Sequence, residues 1–458
     1  MPSLVVWMNG QEVGTWTQRS GDTSEFVYKQ SWIESRYARA LSLAIPITVD
    51  RTVKGAAVTN YFDNLLPDNP NIRKRISDKW SIRNDTFELL TAIGRDCVGA
   101  VQLLPVGEEP AGWDQVRATP LTEAEIAAHL RQVTRLSGGF GAADDEDDFR
   151  ISIAGAQEKT ALLRMGGKWH RPLGATPTTH ILKLPLGVIA GGLDFKHSIQ
   201  NEWLCSEFLH AMGLSVARTE MLRFEDQDVL SVTRFDRRWI GTNSESVDSP
   251  SFSPEPGTYI ARLPQEDLCQ AFGLPSEKKY ENKGGPSADE IVRLLSNSED
   301  EADDKARFIL SQLLLWLLAA PDGHAKNFSL QYTAGGGFRL TPLYDVLSAW
   351  PLIDRGPRTW QYEKASLAIS VRSKNRHYRL KDIQARHWKG EADKTGIAAL
   401  WERMIEVVER APETFESLEA RLPDGFPSEV FNTMRDGIKM HAENFKRGRP
   451  TPPVGHSL

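Results

Sequence analysis

The chain has 458 residues, 40% hydrophobic and 25% charged, with a formal net charge of −6. That length exceeds one compact core and predicts two or three domains, and the composition is that of a globular protein. The acidic balance excludes a chain that coats nucleic acid indiscriminately, although a local basic patch remains compatible with it.

The opening MPSLVVWMNGQEVG has no basic leader and only a short apolar run, broken at Asn9 and Gly10. A first strand and turn is expected there, not a signal peptide. Up to about residue 105, short strand-like runs alternate with Gly and Asn turns. Residues 4–8, 41–47 and 100–104 are predicted strands, and 62–68 and 72–80 predicted helices, together a compact α/β cap. Residues 105–113, rich in Pro, Gly and Glu, read as a linker. The acidic run 144–148 reads as a solvated loop and 241–258 as a mobile surface insertion. Between these loops, 149–153, 159–165 and 180–184 are predicted strands. Ile199, Trp203, Phe208 and Met212 fall near helical spacing, with Gly213 as a C-terminal cap.

Beyond Leu263 helical periodicity is expected to dominate. The longest apolar stretch, 309–320, is too short to span a bilayer and suits a buried helix. Ile397, Leu400, Trp401, Met404 and Val408 share one face of a later helix. Strands first and helices second predict an α+β, two-lobed enzyme, with domains at 1–110, 145–235 and 236–458. Cys97, Cys205 and Cys269 match no zinc pattern and are expected to be reduced thiols of a cytoplasmic protein, with no membrane partner.

After Pro321 the chain runs Asp322-Gly323-His324-Ala325-Lys326-Asn327. Two strand-like runs follow, joined by a glycine turn, and then comes Pro342-Leu343-Tyr344-Asp345. Protein kinases place a catalytic Asp five residues before a metal-binding Asn, with a second metal-binding Asp after a hairpin. The first Asp accepts the substrate hydroxyl proton. Asn and the second Asp offer hard oxygen ligands to Mg²⁺. Asp-Gly alone is a turn signal; the reading rests on the ordered set of three after an apolar helix.

Ala154-Gly155-Ala156-Gln157, between two predicted strands, would let backbone amides approach an anion, or form a plain hairpin turn. Neither GxGxxG nor GxxxxGK[ST] occurs. Lys183, inside an apolar strand, must find water or a counter-charge, and a kinase lysine finds the nucleotide phosphates. Glu202 is either its ion-pair partner or a surface acid.

These residues lie in segments that resemble the HipA family of toxin kinases almost end to end. They are SRYARALSLAIP (35–46), FDNLLPD (62–68), IGRDCVGA (93–100), FRISIAGAQEKTALL (149–163), TPTTHILKLP (176–185), RFDRRW (234–239), RLPQEDLCQ (262–270), DGHAKNFSL (322–330) and RLTPLYD (339–345). The resemblance implies a bilobal protein-kinase-like fold with a small N-terminal α/β subdomain, using ATP and Mg²⁺. It makes Asp322 the catalytic base, Asn327 and Asp345 the Mg²⁺ ligands, and Lys183 a phosphate contact. The nucleotide loop becomes Ile153, Ala154, Gly155, Ala156, Gln157, Glu158 and Lys159. Thr233, Arg234 and Phe235 form the hinge beside adenine, and His324, Lys326 and Tyr344 are further nucleotide-site positions.

The implied activity is transfer of the ATP γ-phosphate to a serine of an aminoacyl-tRNA synthetase, glutamyl-tRNA synthetase being the best-known target. Translation then stops, with growth arrest or persistence. The implied partner is a HipB-like helix-turn-helix antitoxin on operator DNA, which co-represses its operon with the kinase. Ser152 is implied as an autophosphorylation site: a phosphate adds about −1.5 to −2 charges, which would repel ATP. From its residues alone, Ser152 is equally a strand-edge hydroxyl. The basic run 371–381, with Arg372, Lys374, Arg376, Arg379 and Lys381, would contact DNA phosphates, grip a tRNA, or be a solvated loop.

The sequence departs from generic kinases, because the HRD and DFG triplets are absent. Loop 241–258 and the tail 446–458 exceed the family core. Two other readings compete: a small-molecule phosphotransferase of the aminoglycoside-kinase type, and a catalytically silent corepressor. The set Lys183, Asp322, Asn327 and Asp345 argues against the second. FDNLLPD and AGAQEK, by resemblance, disfavour the first.

Overall fold

The computed structural model describes residues 1–19, 23–134, 152–155, 157–188, 192–243, 247–354 and 358–448. The acidic run 144–148, Ala156 and the tail from 449 onward lie outside the described residues. The chain divides into two compact units. One comprises Met1–Pro185, Ala217–Lys279 and Phe328–Thr341; the other comprises Leu186–Val216, Tyr280–Asn327 and Pro342–Leu458.

The first unit opens with an antiparallel sheet of β1 (Ser3–Met8), β2 (Gln11–Gln18), β3 (Ser24–Tyr28), β4 (Thr52–Lys54) and β5 (Gln102–Pro105), in the order β4-β3-β2-β1-β5. Asn9 and Gly10, both at positive φ, make the tight β1–β2 turn, the geometry that suits strand twist. A short helix α1 (Gln30–Ile33) follows β3, and α2 (Ala56–Asp63), α3 (Pro70–Trp80) and α4 (Thr86–Ile93) follow β4. Asn69 caps α3 through Asn71 N ahead of Pro70, and Asp85 caps α4 through Glu88 N at 3.0 Å. Trp16 stacks on Phe62 at 4.1 Å in the core.

Residues 41–47 form no strand. The Tyr28 hydroxyl accepts from Leu41 N at 2.7 Å and donates to Ile45 O, while Glu266 Oε1 accepts from Leu43 N. Buried side chains satisfy these backbone groups, so no ladder forms. The predicted helix at 62–68 lies mostly beyond α2, which ends at Asp63. The predicted linker 105–113 is packed instead: Trp113 meets Tyr259 edge-on at 5.5 Å and covers Gly10, where a Cβ would lie 2.0 Å from the indole. The described part of loop 241–258 is likewise anchored. Val247 is buried and accepts from Gly166 N at 2.7 Å, and Phe252 meets Trp239 edge-on.

A second sheet of the same unit contains β6 (Ala118–Pro120), β7 (Lys159–Met165), β8 (Lys168–Pro172), β9 (His180–Lys183) and the strands Thr219–Phe224 and Gln227–Thr233. Helix α5 (Glu123–Thr134) buries Ile126, Ala127 and Leu130 against Leu162, Leu182 and Val229. The described residues of the predicted strand 149–153, Ser152 and Ile153, are not in a strand.

The second unit is mainly helical. It contains α6 (Ser198–Ala211) and the helices Glu301–Leu317, Ala385–Thr395, Leu400–Ser417 and Ser428–Arg447. Gly213, at φ +87, follows α6 where a left-handed cap is needed. Helix Glu301–Leu317 is buried nearly all round from Asp304 onward, as expected of a central helix. Among the described residues no helix is long and apolar enough to cross a membrane. Helical periodicity does not extend through the basic run, which folds as a β-hairpin, Ser366–Arg372 with Arg376–Arg379.

Candidate active site

In the second unit, Asp322, Asn327 and Asp345 are brought together through Asn327. Helix Glu301–Leu317 ends at Leu318, and Ala319 at φ 48 turns the chain out of it. The 3-10 turn Ala325–Asn327 then carries Asn327 back. Its Nδ2 donates to Asp322 O at 2.7 Å and to Asp345 O at 3.4 Å. With the nitrogen tied to both main chains, the amide oxygen Oδ1 is the atom of Asn327 with a lone pair to offer a ligand. Asp345 sits at φ +61, a conformation that costs a non-glycine residue energy and concentrates at functional sites. The Asp322 side chain is 50% exposed, so its carboxylate is open to solvent. Its Oδ1 accepts from the Tyr280 hydroxyl and lies 3.9 Å from His324 Nε2. Tyr344 donates to Lys326 O at 2.9 Å. His324 and Lys326 are buried, so these two brace the loop.

Among the described residues no group of three or more His, Cys, Asp and Glu is placed to hold a metal. A magnesium site here would be built from Asn327, Asp345, phosphate oxygens and water, the sparse protein donor set that Mg²⁺ tolerates.

In the first unit, the described residues of the expected nucleotide loop pack on the N-terminal α/β region. Ser152 is fully buried; its Oγ donates to Leu65 O at 2.7 Å, and its N–H donates to Asp96 O. Gly155, at φ +108, accepts from Asp68 N at 3.0 Å and bridges to Pro67. Arg75 from α3 grips Glu158 at 2.6 Å, and Gln157 donates to Leu184 O at 2.6 Å. FDNLLPD is therefore the seat of this loop. No spacing rule links Leu65, Asp68 or Arg75 to residues almost ninety positions on.

Lys159 and Lys183 are direct cross-strand partners on β7 and β9, so both ammonium groups share one sheet face. A Cβ on Gly155 would lie 2.6 Å from Lys159 Nζ, so this lysine lies over the loop. Glu202, the candidate partner of Lys183, is buried in the second unit, which rules out the surface-acid reading.

Arg234 needs a correction. Its guanidinium is not open to a nucleotide; it lies in a fully buried ion cluster. Asp96 faces Arg237 at 2.9 Å, Arg262 at 3.2 Å and Arg234 at 3.4 Å, and Asp236 faces Arg234 at 2.8 Å. Burial opposes the ionised form of Asp96, but the three guanidinium groups outweigh it and hold the carboxyl far below its usual range. The segments IGRDCVGA, RFDRRW and RLPQEDLCQ thus meet in a structural cluster. Any hinge role of Arg234 runs through its main chain, whose N–H already donates to Thr179 O. Thr233 is exposed at the end of its strand, and Phe235 is half-buried.

In the basic hairpin, Arg372 pairs with Asp289 at 3.0 Å and Arg376 lies 3.4 Å from Glu281. Lys374, Arg379 and Lys381 are exposed and have no ion-pair partner among the described residues.

A family model for the HipA-like C-terminal domain matches residues 151–417, and one for the HipA N-terminal domain matches 4–104. Y4mE of Sinorhizobium fredii, whose kinase designation is provisional, is 31% identical over 402 residues, 86% of either chain. The serine/threonine-protein kinase toxin HipA of Shewanella oneidensis is 26% identical over 341 residues, 72% of this chain and 71% of its own. The solved complex of Shewanella oneidensis MR-1 HipA, HipB and operator DNA contains a chain of the same fold, with a TM-score of 0.76, 22% identity and 97% coverage of both chains.

Proposed function

The chain belongs to the HipA family of serine/threonine-protein kinases, and from that premise we propose that it is a toxin kinase that phosphorylates a serine of an aminoacyl-tRNA synthetase. Asp322 takes the proton from the attacking hydroxyl. Lys183, with Lys159 and the loop around Gly155, receives the nucleotide phosphates of ATP. Asn327 and Asp345 would hold Mg²⁺, which when bound neutralises charge developing on the transferred phosphoryl group. The observation that supports this reading is the double tie of Asn327 Nδ2 to the main chains of Asp322 and Asp345, which keeps the amide oxygen as the ligating atom Asn327 would offer.

A HipB-like antitoxin and its operator DNA are the proposed partners, supported by the relative solved with both. Glutamyl-tRNA synthetase is the first candidate substrate, and growth arrest or persistence the expected consequence. The test incubates the protein with γ-labelled ATP, Mg²⁺ and a panel of purified synthetases, beside Asp322→Asn. Label on a synthetase serine that disappears in the variant supports the reading. Label confined to small molecules, or none, overturns it.

A further inference from the structure

We propose that Tyr280 is a positioning residue for the Asp322 carboxylate, and that Glu281 fixes Tyr280 in place by anchoring it to the basic hairpin. This rests on the reading of Asp322 as the base. The Tyr280 hydroxyl donates to Asp322 Oδ1. The phenol ring is itself held: the buried His324 ring meets it edge-on at 5.0 Å, and Lys283 Nζ lies 5.2 Å from its centroid. The next residue, Glu281, is almost fully buried. It accepts from Ser370 N at 2.6 Å on one hairpin strand and faces Arg376 on the other. The short 3-10 turn Glu281–Lys283, next to Tyr280, therefore links the hairpin to one oxygen of a half-exposed carboxylate.

A carboxylate on a turn, half in solvent, samples several rotamers. One charge-assisted hydrogen bond from a clamped phenol selects among them. It occupies Oδ1 and leaves Oδ2 for the substrate hydroxyl. Losing it leaves the base chemically intact but misaimed, and misplacement on the scale of 1 Å costs up to about a hundredfold in rate.

The test compares wild type with Tyr280→Phe, Glu281→Ala and Glu281→Gln. Two measurements are made: steady-state transfer to whichever acceptor the wild type labels, and amide hydrogen exchange across residues 322–327 and at Ser370. Tyr280→Phe is expected to lower kcat about ten- to a hundredfold while KM for ATP stays within about twofold. Exchange at 322–327 should quicken in the same variant. Glu281→Ala should reproduce the kcat loss and speed exchange at Ser370, and Glu281→Gln, which keeps the acceptor oxygen, should recover most of both. A kcat within about threefold of wild type in Tyr280→Phe, or a KM change that accounts for the whole loss, overturns the proposal. If the wild type labels no acceptor, the kinase reading fails instead. The exchange data then decide the positioning role alone, and unchanged exchange at 322–327 rejects it.

Discussion

The Ser152 hydroxyl donates to the Leu65 carbonyl at 2.7 Å with no solvent access, so the candidate off-switch is also a buried structural contact. A phosphate cannot occupy that position without expelling the segment, because two charges and three acceptor oxygens would face a carbonyl in a dry site. Ser152→Ala is expected to keep phosphotransfer and lose the autophosphorylated species. Ser152→Asp should weaken binding of a fluorescent ATP analogue by at least about tenfold, roughly the cost of burying one unsatisfied polar group. Full affinity in Ser152→Asp would reject the seat.

Gly155 tests the proposed phosphate loop by geometry. Its φ of +108 is one that L side chains rarely adopt, and an added Cβ would meet Lys159 Nζ at 2.6 Å. Gly155→Ala should raise KM for ATP several-fold while thermal stability changes by about 1–3 kcal/mol at most. Calorimetry with the nucleotide and a melting curve check the two halves of that statement.

The ion cluster predicts a stability effect with a defined pH dependence. Burial opposes ionisation of Asp96, yet Arg237, Arg234 and Arg262 hold its carboxyl far below the usual carboxylate range. Its contribution is complete above the unfolded pKa and is lost as pH falls towards the folded one. Asp96→Asn should cost about 3–5 kcal/mol at pH 7, because three buried guanidinium groups lose a counter-charge. Denaturant titrations should show the gap between variant and wild type narrowing only below about pH 4.

Glu266 predicts the opposite slope. Burial pushes its carboxyl up to about 7, although Tyr332 and Leu43 N both donate to Oε1. A raised folded pKa gives stability that is full below the unfolded value of 4.5 and lost as pH rises through about 7. Glu266→Gln, which keeps the acceptor oxygen, should match wild type near pH 5 and exceed it by on the order of 1–3 kcal/mol at pH 8. Parallel stability curves for the two proteins would rule this out.

The basic hairpin separates structural from binding charge. Arg372 and Arg376 already face Asp289 and Glu281, so reversing them also disturbs the fold. Lys374→Ala, Arg379→Ala and Lys381→Ala together should leave melting unchanged. In complex with the antitoxin, they should flatten the salt dependence of operator binding by up to about 0.9 log units per lost phosphate contact. An unchanged slope would remove the hairpin from the DNA-binding surface.

Much of the candidate site could be proposed from the sequence because the kinase pattern is local in the chain. Asp322 and Asn327 share one loop after a buried helix, and Asp345 follows a short hairpin, so spacing alone exposes them. Lys183 was visible as a charge within an apolar strand. Residues 41–47 misled, since their apolar alternation serves packing while Tyr28 and Glu266 take the backbone bonds.

What the sequence by itself determined was the α+β class and the order along the chain of the candidate phosphate- and Mg²⁺-binding residue types. Those follow from periodicity and from chemistry carried by neighbours in the chain. Only the tertiary structure decided that Leu65 and Asp68 seat the segment around Ser152 and Gly155, that Arg234 meets Asp96 in a buried ion cluster, and that Tyr280 bonds Asp322. These are single hydrogen bonds and ion pairs across 42 to 138 positions. No local pattern encodes such partners, because each depends on how the intervening chain folds and on burial that makes an unsatisfied group costly.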